Sequence, residues 1–379
     1  MKLLHTSDWH LGRGESNNRS LIDDQKYFVD EICDIVDREK VDAVLIAGDV
    51  YDRSVAPAEA IHLYNEAMTR LCLEMKRKVI VIAGNHDNAD RLEGCRDLLE
   101  KSGLHVLGAI GKEPCIVSID DTDIYLFPWF TEEKVKGLYP DRAEEIKTLT
   151  DAYRVVLDRA RSSFNPARKH IAKAHAFVTN SETSGSDKAA EIASIGTALQ
   201  VDSDVFEGFD YVALGHIHGP QNIGKYIRYS GTPMAYSFGR EEKQEKSVTL
   251  IDTDTLERTV IPLHPLHKRI TLEADYEEFL NGEYPEDVRN GYVRLKVKDC
   301  FVGLDRLSRL REIFSLCLEV QGKNYEGEDS GIRMTMEEFK AIESDPAAIF
   351  KSFCREILNT EPNDHQLELF RKSMEGEED

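Results

Sequence analysis

Three short apolar runs, at residues 2–6, 43–47 and 79–83, each break off into a polar cluster: Asp8-Trp9-His10, Gly48-Asp49 and Gly84-Asn85-His86-Asp87. Between them lie two stretches of helical period. Residues 23–38 put Phe28, Ile32 and Ile35 on one face, and residues 57–75 open with Pro57, whose missing N–H is not needed in a first helical turn. Strand and helix alternating in this order predict an α/β layered domain. Ligand sites in such domains collect at the C-terminal ends of the strands, where these three clusters stand.

Further strands are expected at 116–119, 124–127, 171–174, 211–214, 248–251 and 259–263, so the later part of the domain is strand-rich. Two of them add to the clusters. His175 follows the strand near Ile171, and Gly215-His216-Ile217-His218 follows the strand ending in Leu214. The stretch between His175 and Asp210, with Thr183, Ser184, Gly185 and Ser186, reads as a loop with a short helix bordering the site. Pro262 and Pro265 then punctuate the chain, and strands at 269–272 and 292–297 with a helix at 304–314 predict a small second α/β domain. Residues 322–331, rich in Gly, Asn, Glu and Asp, read as a mobile connector. Beyond it Asp345 before Pro346 is a good helix start, and Ile349, Phe350, Phe353, Ile357 and Leu358 share one wide apolar face. Leu367, Phe370 and Met374 belong to a second short helix.

Asp8, His10, Asp49, Asn85, His175, His216 and His218 offer oxygen and imidazole donors without a thiolate, a set suited to manganese, iron or zinc rather than to a structural thiolate site. A lone histidine at a strand end is more often structural; order and company single these out. Seven ligands exceed what one ion with an open water position can use, so two ions are expected. Asp49 is the natural bridge, because a carboxylate has two oxygens to share. Residues one apart in a strand point opposite ways, so His10 and His218 need turns to converge with Asp8 and His216. Gly12, Gly14, Gly215 and Gly219 make such turns easy.

Charge bears on what such a site can act on. In 379 residues, 48 Lys and Arg against 70 Asp and Glu leave −22, which argues against a protein held to nucleic acid by a broad basic surface. Two divalent ions with the Asp8 and Asp49 carboxylates would leave about +2 in the pocket, inverting the field locally. Any DNA affinity should then depend on metal and on salt. Arg13, Arg53, Arg91 and Arg240 stand in loops that can add phosphate contacts. The 41% apolar content fills a sizeable core, no apolar run approaches a membrane span and the first ten residues lack a secretory core, so a cytosolic protein is expected. Seven cysteines without CxxC pairs suit reduced, buried thiols.

The order DxH, GD, GNHD, a later single His and GHxH resembles the binuclear metallophosphoesterase superfamily. Within it, LLHTSDWHLG, GDVYDR, DYVALGHIH and YSGTPMAYSFGREEKQEKSVTLID resemble the bacterial SbcD nuclease family, and the likeness runs along the whole chain. The resemblance implies an α/β fold, a calcineurin-like metallophosphoesterase β-sandwich flanked by helices, over 1–265. It implies a small α/β capping, DNA-binding domain over 266–325, a linker over 326–344 and a helix-loop-helix partner-docking tail over 345–379. It further implies that Asp8, His10, Asp49 and His218 hold a first metal and Asp49, Asn85, His175 and His216 a second. His86 would face the scissile phosphate, for which an imidazole titrating near neutral pH is suited, and Asp87 would orient a neighbouring histidine.

The same resemblance implies Mn2+ as the cofactor, three-prime to five-prime exonuclease activity on duplex ends and endonuclease activity on single strands and hairpins, in DNA repair, recombination and replication. The implied partner is an SbcC-type ATPase whose coiled-coil base receives Ile349, Phe350, Phe353, Ile357 and Phe370, in a heterotetramer of two nuclease and two ATPase subunits, with the nuclease domain a homodimer. One departure stands out. Archaeal and eukaryotic relatives often carry a histidine three residues after the bridging aspartate, where this chain has Asp52, which supplies no positive donor to a phosphate.

His5, His62, His105, His170, His264, His267 and His365 have no ligand-like company and read as structural or exposed. There is no GxxxxGK[ST] motif, so ATP hydrolysis is not expected of this chain. Trp9 and Trp129 can stack on a base, but packing is the commoner fate of a tryptophan, and Cys354 reads as packing in the tail. Two rival readings stand beside the nuclease. Another enzyme of the superfamily, a phosphoprotein phosphatase or cyclic-nucleotide phosphodiesterase, would not need the second domain or the tail. A scaffold that keeps its metals for structure predicts no hydrolysis at all.

Overall fold

In a computed structural model the three early apolar runs form strands β1 (Lys2–Thr6), β2 (Ala43–Ala47) and β3 (Lys78–Ile82), side by side and parallel, with β4 (Leu104–Leu107) parallel beyond β3. The structure describes residues 1–15, 19–179, 200–323, 350–351, 362–363, 365–367 and 370. Every residue of β2 is buried, as a parallel strand covered on both faces requires, which is why its sequence AVLIA runs apolar without alternation. A second sheet begins with β5 (Cys115–Ile119), β6 (Thr122–Phe127) and β7 (Lys169–His175). β8 (Phe177–Val178) and β9 (Gln200–Val201) pair separately, and β10 (Tyr211–Gly215), β11 (Gln221–Ile223) and β12 (Ile227–Tyr229) complete the second sheet in the order β11-β12-β10-β7-β6-β5. The chain then returns to the first sheet with β13 (Ser247–Asp252) and β14 (Arg258–Pro262), giving the order β14-β13-β1-β2-β3-β4.

The two six-stranded sheets share a core that includes Leu45, Ile80, Ile124, Ile171 and Ala213. Helices cover their outer faces: Phe28 and Ile32 of helix Ile22–Arg38 and Leu63 of helix Ala58–Met68 pack with Val44, and Tyr153 and Leu157 of helix Leu149–Arg161 pack with Ala172 and Val212. The result is the α/β layering that the pattern predicts, in the form of the helix-flanked sandwich that the resemblance implies. Two helical details differ from the sequence reading. The helix expected over 57–75 is α-helical only to Met68 and π-helical over Thr69–Glu74, where Met75 N donates to Arg70 O at 2.9 Å. Helix Leu149–Arg161 has no counterpart in that reading, although Thr148 and Asp151 form a reciprocal capping box at its start.

A third, parallel sheet consists of β15 (Arg269–Ala274), β16 (Tyr292–Val297) and β17 (Cys317–Gln321). It has its own apolar core, with Phe279, Leu295, Leu310 and Phe314. Tyr292 Oη donates to Asp24 Oδ2 at 2.7 Å and His267 Nδ1 lies 3.0 Å from Asp24 Oδ1, tying this sheet to helix Ile22–Arg38.

The chain divides into two units, Met1–Gly322 and Lys323–Asp379. In the second, the rings of Phe350 and Phe370 stack with centroids 4.4 Å apart and 8° from parallel. Ile349, Phe353, Cys354, Ile357 and Asp345 lie outside the described residues, as do 180–199 in the expected site-bordering loop and 324–331 in the connector. Among the described residues no helix is long and apolar enough to cross a membrane.

Candidate metal centre

The turns that bring the polar clusters inward are made by the polar residues themselves. Asp8 (φ 54°), His10 (φ 45°), Asp49 (φ 48°) and His216 (φ 105°) all occupy left-handed backbone, a conformation non-glycine residues seldom adopt and one that costs about 1–3 kcal/mol each. Asp8 N donates to Gly48 O and His10 N to Asp49 O, both at 3.0 Å, so the first strand end is strapped to the second. Of the four glycines to which the sequence reading assigned these turns, Gly12 alone has a positive φ, 83°. Motif glycines serve a different need, close approach. A Cβ on Gly84 would lie 2.1 Å from Asp49 Oδ1, and one on Gly215 1.9 Å from Ala47 O.

All seven expected donors, and His86, converge on one buried site. Ligand atoms of Asp8, His10 and His218, of His10, Asp49 and His86, and of Asp8, Asp49 and His175 each lie within 4.8 Å of one another. His10 Nε2 and His218 Nε2 are 3.1 Å apart. Asn85 Oδ1 lies 3.0 Å from His175 Nε2 and 3.1 Å from His216 Nδ1. Asp49 is central: its Oδ2 is 3.4 Å from His175 Nε2 and 3.8 Å from His10 Nε2, while its Oδ1 accepts from His86 N at 2.9 Å. His175 donates from Nδ1 to Ala47 O at 2.9 Å, which leaves Nε2 facing the centre.

Burial and crowding set the charge state of these groups. Burial pushes the Asp8 carboxyl up to about 8, His175 pulling the other way. Burial also works against charge on Asp49 and His175, but their mutual attraction wins, holding Asp49 well below the usual carboxylate range and lifting His175 to about 9. His10 and His216 are depressed by burial, His216 to about 3. The site is therefore a desolvated pocket in which burial opposes charge on Asp8 while the attraction of His175 favours it on Asp49. Asp8 Oδ2 is buried without a hydrogen-bond partner, and two imidazole nitrogens face each other, features that suit cations rather than a closed protein network. The chain's donors thus fit divalent metals, whose binding would displace protons from Asp8 and His175.

Several neighbours outside the seven donors shape the centre. Gln25 donates from Nε2 to His10 O at 2.8 Å and accepts from Gly12 N at 2.9 Å. The Tyr236 ring lies edge-on to His10, centroids 5.8 Å apart, and its hydroxyl donates to Trp9 O. The ring of Trp129 stacks on His216 at 5.5 Å and 23°, whereas Trp9 is fully buried against Phe28. Asp87, which the resemblance implied would orient a neighbouring histidine, accepts instead from three backbone amides, Val50, Tyr51 and Gly84, at 2.9–3.1 Å, and joins the second strand end to the third. Lys246 donates to the His218 carbonyl at 3.1 Å and to buried Glu241 at 2.9 Å. Of these, Gln25 stands in no motif; Trp9, Tyr236 and Lys246 lie in the segments that carry the resemblance, and Asp87 lies in GNHD. Of the candidate arginines, Arg13 approaches Asp52 Oδ1 at 3.8 Å, Arg53 approaches Oδ2 at 3.9 Å and Arg91 donates to Ser54 O at 3.3 Å.

A two-sheet sandwich with a carboxylate and imidazole centre at its strand ends defines a metallophosphoesterase, and the Calcineurin-like phosphoesterase family matches residues 1–220, so the chain belongs to that family. It is 31% identical over 318 residues, 83% of each chain, to the SbcD subunit of the SbcCD nuclease from Staphylococcus epidermidis. It is 30% identical over 99% of its length, and 98% of the relative's, to the protein of the same name from Staphylococcus saprophyticus. Within the family the chain is therefore a metal-dependent nuclease of the SbcCD type, a phosphodiester hydrolase.

Proposed function

We propose that the chain cuts DNA with two Mn2+ ions in the cytoplasm, as the nuclease subunit of a complex with an SbcC-type ATPase, two copies of each, its own domain pairing as a homodimer. The activities are three-prime to five-prime exonuclease cleavage of duplex ends and endonuclease cleavage of single strands and hairpins, in DNA repair, recombination and replication. Asp8, His10, Asp49 and His218 hold the first ion, and Asp49, Asn85, His175 and His216 the second. The observation that carries this reading is Asp49, whose carboxylate faces donors of both groups, His10 at 3.8 Å and His175 at 3.4 Å. When bound, the ions supply an activated water and neutralise charge on the phosphate.

His86 is the phosphate-facing group. Its Nδ1 donates to Asp52 O at 2.7 Å, so Nε2, 4.0 Å from Asp49 Oδ2, is the nitrogen left to hold or deliver a proton at a substrate oxygen. Asp87 orients the site through the backbone of Val50, Tyr51 and Gly84. Residues 266–325 cap the centre and contact DNA, residues 326–344 link, and residues 345–379 dock on the ATPase through Ile349, Phe350, Phe353, Ile357 and Phe370. The stacking of Phe350 on Phe370 supports a paired-helix tail.

The test is manganese-dependent cleavage of a hairpin, a blunt duplex and a phosphopeptide, with and without the partner ATPase. Cleavage of both DNAs and no release of phosphate from the peptide is expected; phosphopeptide hydrolysis without DNA cleavage would reverse the reading. Replacing Phe350 and Phe353 by Asp should abolish co-purification of the ATPase and leave hydrolysis of a small phosphodiester intact. Retention of the ATPase by that double variant would remove the docking role.

A further inference from the structure

Residues 235–242, between β12 and β13, touch both the third sheet and the metal centre. Toward the sheet, Arg269 of β15 donates from Nε to Ala235 O at 3.2 Å, and Thr271 of the same strand donates from Oγ1 to Glu242 Oε2 at 2.8 Å. Between these two ties the buried Phe238 ring meets a guanidinium from each of two strands, Arg294 of β16 at 4.4 Å and Arg269 at 4.9 Å from its centroid. Both lie inside the roughly 6 Å over which a ring face attracts a cation. Arg269 is also ion-paired with Glu15, and Arg294 with Glu319, so both guanidiniums are held in place.

Toward the centre, the buried Tyr236 ring stands edge-on to His10, centroids 5.8 Å apart, and 6.3 Å from His218, the two imidazoles proposed for the first ion. Its hydroxyl donates to Trp9 O and accepts from Gln25 Nε2 at 3.2 Å, which fixes the ring against the turn that presents His10. Buried Glu241 anchors the segment from behind. It accepts from Ser237 N at 2.9 Å and from Lys246 Nζ at 2.9 Å, and Lys246 in turn holds the His218 carbonyl at 3.1 Å.

We propose that Tyr236 is a positioning residue for His10 and His218, and that the third sheet sets its place by clamping Phe238 between Arg269 and Arg294. Aromatic rings with centroids about 4.5–7 Å apart prefer a defined mutual angle, so one ring that meets two ligand imidazoles limits how far either can swing. His175 and His216, proposed for the second ion, meet the ring of Trp129 instead. The device therefore acts on one ion of the two. In this role Tyr236 works through the two histidines, and Phe238 works through Tyr236. The inference rests on the two-metal reading above and on its assignment of His10 and His218 to one ion.

Calorimetric Mn2+ titration of the full-length chain tests it, the binding event lost in His218→Ala marking the first ion. Tyr236→Leu keeps apolar bulk without the flat ring; it should weaken that event about 10–100-fold, as loss of an orienting partner does, and leave the other unchanged. Phe238→Leu removes the face that the two guanidiniums share and should weaken the same event about 3- to 10-fold. Combining the two should bind no more weakly than Tyr236→Leu alone, since the second change acts through the first. An unchanged first event in Tyr236→Leu overturns the positioning role. Equal weakening of both events with a lowered melting temperature also overturns it, making the segment merely structural. Additive losses in the double variant overturn the clamp. If Tyr236→Leu fails to fold, Phe238→Leu decides alone, and an unchanged first event there overturns the proposal. Absence of any Mn2+ binding by the wild type would instead sink the two-metal reading itself, and this inference with it.

Discussion

The Nε2 atoms of His10 and His218 lie 3.1 Å apart, although 208 positions separate the two residues. Two imidazole nitrogens at that distance need a proton or a cation between their lone pairs. If both serve one ion, His10→Ala and His218→Ala should each weaken Mn2+ binding at one site, and the double variant should lose less than the sum of the two. Calorimetric titration should give a coupling of about 0.5–3 kcal/mol; additive losses would mean that the rings act independently.

His86→Ala keeps the backbone amide that donates to Asp49 Oδ1 at 2.9 Å, so it should leave both ions bound. Removing a positioned general acid slows a reaction about 100- to 10,000-fold. Cleavage of a blunt duplex at saturating manganese should fall by that order, and an unchanged rate would take His86 out of the mechanism.

Trp129 closes the side of the centre that carries His216, stacking on that ring at 5.5 Å while Phe177 packs at 6.2 Å. Trp129→Ala frees the imidazole to rotate. Mn2+ affinity at the second site should drop about tenfold, with the first site unaffected, by analogy with the loss of other orienting partners. Equal effects at both sites would show a general loosening of the fold.

His5 is buried between the sheets, with Nδ1 2.9 Å from Tyr211 Oη and Nε2 3.1 Å from Leu214 O. Burial first, and the charge of Arg228 second, lower its pKa from 6.5 to about 3. Between those values the unfolded chain binds the proton and the folded chain does not, so the stability His5 contributes is complete above 6.5 and drains away as pH falls toward 3. Chemical denaturation from pH 7 down to pH 4 should show the wild type losing up to about 1.4 kcal/mol more per pH unit than His5→Asn. Parallel pH profiles would refute the assignment.

The strands that build the site were legible because parallel strands covered on both faces read as unbroken Val, Ile and Leu, and because acids and histidines stand where the chain leaves them. Sequence pattern could not show how those residues turn inward. The left-handed backbone at Asp8, His10, Asp49 and His216 is imposed by strand-to-strand bonds such as Asp8 N to Gly48 O, not by residue type, so the glycines nearby drew the assignment instead. β4 was missed because four residues broken by His105 give too short a pattern, and helix Leu149–Arg161 because its capping box went unread. Gln25 stands in no motif, and Asp52 and Tyr236 stand in motif segments that do not show what they touch; only the folded chain sets Gln25 Nε2 2.8 Å from His10 O.

Diffraction at the manganese absorption edge, from crystals grown in excess Mn2+, tests the shared centre most directly. Two anomalous peaks per chain, both within bonding distance of the Asp49 carboxylate, and neither at full occupancy in Asp49→Ala, are the predicted result. A single ion, or two ions that survive the loss of Asp49, would contradict it.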